Sequence, residues 1–254
     1  MMASRASIAV AMKILLFVLY IAMIASFVYV FVINHIKECY NWTLRWDVLL
    51  VINCTVLYVF SAIWFYYKEL SWIKTLLFFI GMEISGSIVT IPYIFYQFWK
   101  LTPEEASRDP IYFVLARQKK RDQEVTKRTS VATGRVIFIA LGVLLLATII
   151  YTVIMDILVY YADLVTPCLV TYMVDIYIYA VLLSVWVAYK ESSWISAFVW
   201  IILNVLSATV VMSVYVVWEL YKLSPEQPTS LILFNDKDRE LESSDAPLMS
   251  HASV

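Results

Sequence analysis

Trp64–Phe65–Tyr66–Tyr67–Lys68–Glu69–Leu70–Ser71–Trp72–Ile73 recurs 122 residues later as Trp186–Val187–Ala188–Tyr189–Lys190–Glu191–Ser192–Ser193–Trp194–Ile195, with seven of the ten positions identical. The same offset lays Lys100–Leu101–Thr102–Pro103–Glu104 on Lys222–Leu223–Ser224–Pro225–Glu226, Lys13 on Arg135, Tyr29 on Tyr151 and Tyr93 on Tyr215. A gapless offset of that reach marks a duplicated unit.

Each copy holds three apolar runs. They are Ile14 to Ile33, Val48 to Tyr66 and Trp72 to Trp99, then Val136 to Tyr160, Pro167 to Tyr189 and Trp194 to Tyr221. Each reaches the roughly 20 residues that a membrane helix needs. Hydrocarbon leaves no partner for an open backbone, and the alternation of a barrel strand is absent, so helices are expected. The third and sixth runs are the longest, which tilt, a kink or a thicker membrane would accommodate. The first run is too long for a cleaved signal peptide and aligns with the fourth, so it belongs to the fold.

The expected fold class is therefore all-α, an integral membrane bundle of six crossing helices. The first repeat covers 8–103, a basic cytosolic linker 104–134, the second repeat 135–225, and a polar acidic tail, read as disordered, 226–254. Three crossings per copy make the second repeat enter from the opposite side. The expected symmetry is then an inverted repeat, as in secondary transporters.

Composition agrees with a membrane location. The chain of 254 residues is 62% hydrophobic, with a mean hydropathy of +0.79, against roughly 45–50% apolar residues in a soluble domain. The 16% of aromatic residues suits membrane interfaces. Trp42, Trp46, Trp72, Trp99, Trp194 and Trp218 fall near span ends, where Lys68, Lys74, Lys100, Lys190 and Lys222 can snorkel to headgroups. A net charge of −1 gives no reason to expect nucleic acid. Three cysteines without a C-x-x-C pair, and only His35 and His251, argue against a zinc or di-iron centre. No metal or cofactor is expected, and the cysteines read as unpaired packing residues.

The linker carries Arg117–Gln118–Lys119–Lys120–Arg121 and Lys127–Arg128. The positive-inside rule places it in the cytosol. With six crossings, Lys37, Arg45 and Lys190 share that side, while both termini and Lys68 face away. The Asn41–Trp42–Thr43 sequon would then be cytosolic and unused. The linker reads as solvated charge that sets topology, or as a patch for anionic headgroups.

Two repeated motifs read structurally. In Tyr-Lys-Glu-x-Ser-Trp, Ser71 and Ser193 are N-caps of the following helix, and Glu69 and Glu191 lie near its positive end. The competing reading makes Lys68, Glu69, Lys190 and Glu191 gates at the mouths of a pathway. Thr102-Pro103-Glu104-Glu105 and Ser224-Pro225-Glu226-Gln227 fit capping boxes with proline at the first helical position.

The intramembrane polar residues are the candidate binding site. Glu83 lies in the third run, followed by Ser87, Thr90 and Gln97 along one helical stripe. Gly81 and Gly86 permit close helix contact, and Pro92 can kink the helix. Asp175 lies in the fifth run, its repeat partner is Asn53 in the second, and Asn204 adds a polar group in the sixth. Acids at membrane depth are costly and usually functional. In an inverted repeat, Asn53 and Asp175 approach the midplane from opposite sides and Glu83 joins them. The alternative is an interhelical hydrogen-bond cluster that fixes packing.

Trp186–Val187–Ala188–Tyr189–Lys190–Glu191–Ser192–Ser193–Trp194, the preceding Asp175–Ile176–Tyr177 and the closing Lys222–Leu223–Ser224–Pro225 resemble a family of plant and cyanobacterial membrane proteins classed as a domain of unknown function. The resemblance runs from the first span to about Asn235. It implies a multi-span membrane protein and carries no activity, substrate or site residue.

Two functions remain in view: a small proton- or cation-linked transporter using Glu83 and Asp175, and a non-catalytic membrane scaffold or assembly factor. Membrane lipids are the expected partners, with a second copy of the chain as another. The chain shows no H-E-x-x-H, G-x-S-x-G, Walker or dinucleotide motif and is not read as an enzyme.

Overall fold

The computed structural model describes residues 2–34, 45–116, 131–155, 167–224, 227–236 and 239. The sequon, the linker's basic runs, Pro225, Glu226 and the tail beyond Arg239 lie outside them. The described residues form helices α1 (Met2–Asn34), α2 (Arg45–Glu69), α3 (Trp72–Ser85), α4 (Ser87–Trp99), α5 (Pro103–Arg108), α6 (Pro110–Leu115), α7 (Val131–Met155), α8 (Pro167–Lys190), α9 (Trp194–Leu206) and α10 (Ala208–Tyr221), then a 3-10 turn at Thr229–Leu233. There is no β-strand among them.

Four segments are long and apolar enough to cross a membrane: Ser7–Val32, Arg45–Glu69, Val131–Met155 and Cys168–Lys190. The six-crossing expectation requires correction at the third and sixth runs. Each is broken into two short helices that fold back on one another. The first break is at Gly86, whose φ of 59° and ψ of −140° end α3 and begin α4. A Cβ on Gly81 would lie 3.3 Å from a Val89 methyl, although eight residues of continuous helix would separate them by about 12 Å. Likewise, the rings of Phe78 and Tyr93 are 5.6 Å apart. The second break is at Ser207, with φ −156° and ψ 76°.

Folding back returns the chain to the face it left. Lys13, in the first half of α1, lies over the ring of Trp99, at the end of α4 (5.6 Å). Arg135, near the start of α7, donates to the carbonyls of Leu220 and Leu223 beside the end of α10. The starts of α1 and α7 and the open ends of both hairpins thus share one face, here termed the mouth face. The described helices of the two halves run in the same direction and so do not show the inverted arrangement. The reason is parity: a run that folds back instead of crossing reverses the side of all that follows.

The mouth face is knitted together by apolar packing. Ala116, Val131, Leu220, Leu231 and Phe234 form one buried cluster, and the Tyr112 ring packs at a tilt against that of Phe234, centroids 5.3 Å apart. The first part of the tail, expected to be disordered, is therefore packed where described, with Phe234 fully buried. Thr102 and Glu105 form the expected capping box that starts α5. Ser71 and Ser193 cap α3 and α9 through their side chains.

The cysteine expectation also changes. Cys54 is free and buried, whereas Cys168, at the start of α8 on the opposite face, is disulfide-bonded.

Candidate functional site

The hairpin tips meet the long central helices, and each tip is held by the other half of the chain. Gly86 leaves α4 without a side-chain cap. Asp175, on α8, fills that place: its Oδ1 accepts the backbone N–H of Ser87 at 2.7 Å, and its Oδ2 accepts the Tyr58 hydroxyl at 2.7 Å. An open helix N-terminus away from water leaves unpaired N–H groups, and a carboxylate is the acceptor suited to its positive end. The fit is close. A Cβ at residue 86 would stand 2.8 Å from Asp175 Oδ1 and 2.9 Å from the Met23 methyl.

The matching contact is made at the second tip. Thr209, in the first turn of α10, donates to Asn53 Oδ1 on α2 at 2.6 Å, while Asn53 Nδ2 donates to Leu49 O at 2.8 Å. Ser87 and Thr209 correspond at the repeat offset, as do Asp175 and Asn53. Asn204 stays within its own half, donating to the Ala180 carbonyl at 2.8 Å and to Ser184 at 2.9 Å. Tyr179 shares a hydrogen bond of 2.6 Å with Thr90.

Glu83 is not part of this cluster. It sits near the end of α3 on an exposed surface, accepting from Thr55 at 3.3 Å. No hydrogen bond links it to Asp175 among the described residues. The expected stripe from Glu83 through Ser87 to Gln97 is divided by the break at Gly86, which places Glu83 and Ser87 on different helices. Nor are Asn53 and Asp175 at the middle of the bundle. Asp175 lies eight residues into α8 and fifteen before its end, about two-thirds of the way from the mouth face at 1.5 Å per residue.

The repeated motif closes the hairpin mouths. Glu69 accepts the Tyr93 hydroxyl at 3.1 Å and pairs with Lys74 at 3.2 Å. Glu191 accepts Tyr215 at 2.7 Å and Ser196 at 2.8 Å. These bonds tie the end of the long helix to the returning arm. Lys68 donates to the carbonyls of Val114 and Ala116, and Lys190 donates to that of Ile232. Both lysines thus clasp the segment that leaves a hairpin.

One cluster was not legible from the repeat. Glu219 is 1% exposed and is ringed by Lys190 at 2.8 Å, Lys222 at 2.6 Å and Arg239 at 2.6 Å. Burial alone would raise its carboxyl, but the three cations outweigh that and bring it down to about 2. Its counterpart in the first half is Gln97, so only the second hairpin gains this tie to the tail. Gly86 and Ser207 could have been suspected from the length of the two runs they interrupt. The pairing of Ser87 with Asp175, 88 residues apart, left no local trace.

No group of three or more His, Cys, Asp or Glu able to hold a metal ion occurs among the described residues. A family model described as a protein of unknown function, DUF1475, matches residues 2–240, so the chain belongs to that family. No curated protein and no solved structure matches it.

Proposed function

We propose that this member of the DUF1475 family is a rigid, non-catalytic membrane scaffold that crosses the bilayer four times and dips two helical hairpins into it from the cytosolic face. The carrying observation is the reciprocal interlock of the tips. Asp175 holds the first hairpin from the second half, and Asn53 holds the second hairpin from the first. Residues that a carrier would leave for cargo here join the halves that a carrier would move apart.

Two observations support the orientation. With four crossings, every described lysine and arginine except Arg45 falls on the mouth-face side, a stronger bias than six crossings allow. The disulfide of Cys168 belongs on the opposite, oxidising side. The membrane is then one of the secretory route.

Proton- or cation-linked transport remains the second reading, favoured by Asp175 being buried without an ion pair among the described residues. Purified protein in sealed vesicles with an internal pH dye separates the two. A scaffold gives the proton flux of empty vesicles. Flux that disappears in Asp175→Asn, with folding intact, overturns the scaffold reading. Single cysteines at Ser71 and Ser193, labelled with an impermeant reagent, test the orientation: both should react from the cytosolic side.

A further inference from the structure

The two hairpins make the protein's cross-section differ between the two sides of the bilayer. The arms of α3 and α4 have 14 and 13 residues, those of α9 and α10 13 and 14. At 1.5 Å per residue they reach about 20 Å, against a hydrocarbon core of about 30 Å. The outward sides are largely apolar toward the tips, with Glu83 the exposed acid near the end of α3. Trp72, Leu77 and Ile84 on α3 are 68%, 65% and 72% exposed, and Trp194, Ile195 and Leu206 on α9 are 81%, 73% and 76% exposed. Tips of that character lie in acyl chains, with the tryptophans at headgroup level.

Near the mouth face the described bundle therefore presents eight helices to the lipid, and near the opposite face only the four long ones. Each added helix is about 10–12 Å across with its side chains. The leaflet on the mouth side must yield area for four more cross-sections than the other leaflet. A stiff body that takes more area in one leaflet favours a bilayer convex toward that leaflet. Stiffness is built in. The tips are fixed by Asp175 and Asn53, the mouths by Glu69–Tyr93 and Glu191–Tyr215. The arms cannot splay or retract without breaking these bonds.

We propose that the protein is a membrane wedge that binds and stabilises bilayer curved convexly toward its mouth face, its ligand being the curved phospholipid bilayer itself. This rests on the scaffold reading and on both hairpins opening on one side. In a cell it would place the protein on tubules, rims and buds that bulge into the cytosol.

The test uses fluorescently labelled full-length protein in giant vesicles of phosphatidylcholine, from which narrow tubes are pulled. Impermeant labelling of single cysteines at Ser71 and Ser193 gives the orientation in each preparation. Protein with its mouth face outward is expected to be enriched severalfold in the tube over the flat membrane, and protein inserted the other way depleted. Equal density in tube and flat membrane, with the mouth face verified as outward, overturns the wedge while leaving the four-crossing reading standing. Labelling of Ser71 and Ser193 from opposite sides overturns that reading, and the wedge with it. The Tyr93→Phe/Tyr215→Phe double variant supplies the second measurement, because it loosens the mouths but keeps the tip contacts. Its tube enrichment should fall below that of the unaltered chain. Unchanged enrichment would overturn the claim that stiffness of the hairpins drives the sorting.

Discussion

The carboxylate of Asp175 accepts the backbone N–H of Ser87 at 2.7 Å, so a helix begun in the first half of the chain is capped by a side chain from the second. The bond makes this acid a fastening of the first hairpin's tip. Nearby, the hydroxyl of Tyr58 occupies the other carboxylate oxygen.

Removing that acceptor should be felt as loss of stability. Asp175→Leu leaves a buried N–H and a buried hydroxyl unpaired, each costing about 1–3 kcal/mol. Asp175→Asn keeps a carbonyl oxygen for Ser87 and should lose less. Thermal unfolding in detergent, followed by loss of monodisperse protein, should rank the unaltered chain above Asp175→Asn and Asp175→Asn above Asp175→Leu. Equal midpoints for the three would mean the cap contributes nothing.

Gly86→Ala should be among the most damaging alanine substitutions in the chain. Its φ of 59° is a region L-residues avoid, and the new methyl would meet Asp175 and Met23 below 3.0 Å. Strain of this kind costs on the order of 1–3 kcal/mol before the clash is added. Gly134→Ala is the control: its methyl would meet Leu220 at an ordinary 3.4 Å. A helical glycine replaced by alanine should be neutral or stabilise by about 0.5–1 kcal/mol. The comparison is read from the same thermal midpoints.

Tyr215→Phe and Tyr93→Phe remove one mouth bond each, at 2.7 and 3.1 Å. A net loss of about 0.5–1.5 kcal/mol is expected for each hydroxyl, with the shorter Tyr215 bond losing more. Hydrogen exchange should quicken at Glu191 and its neighbours in Tyr215→Phe and leave the hairpin tips protected. Faster exchange at the tips would place the weak point elsewhere.

The tail should detach in acid. The Glu219 carboxyl is held at about 2, below its ordinary 4.5. A group depressed on folding adds stability above the unfolded value and loses it as pH falls through the folded one. The contribution is therefore full at pH 7 and fades between about 4.5 and 2, and it is on the order of 3 kcal/mol. Short pulses of pepsin over that range should cut near Phe234 with rising rate. Glu219→Gln should expose the same site to a neutral-pH protease. A tail equally resistant in that variant would show that apolar packing of Leu231 and Phe234 holds it alone.

Much of the molecule can be read along the chain. The apolar runs, the tryptophans at their ends, the Ser71 and Ser193 caps and the Thr102–Glu105 box are local. Each depends on residues within one or two turns, and of these the Ser71 and Ser193 caps and the Thr102–Glu105 box form as expected. The 122-residue offset likewise exposes the equivalence of Asn53 with Asp175 and of Tyr93 with Tyr215, because both halves obey the same spacing.

Direction was not legible in that way. A run such as Trp72 to Trp99 has the hydropathy of a tilted crossing and of a hairpin alike, since transfer energy counts apolar surface and is blind to the sense in which a helix runs. Whether α3 continues through Gly86 or ends there depends on an acceptor 88 residues away, so only the tertiary structure decides it. The consequence is global: the two fold-backs set the described helices of both halves running in the same direction. They also bring Lys68 and Lys190 to one face and make Asp175 a cap. By itself the sequence determined that this chain belongs in a membrane as helices. The tertiary structure decided where the helices fold back, because that is settled by long-range pairing of polar groups that have no water to turn to.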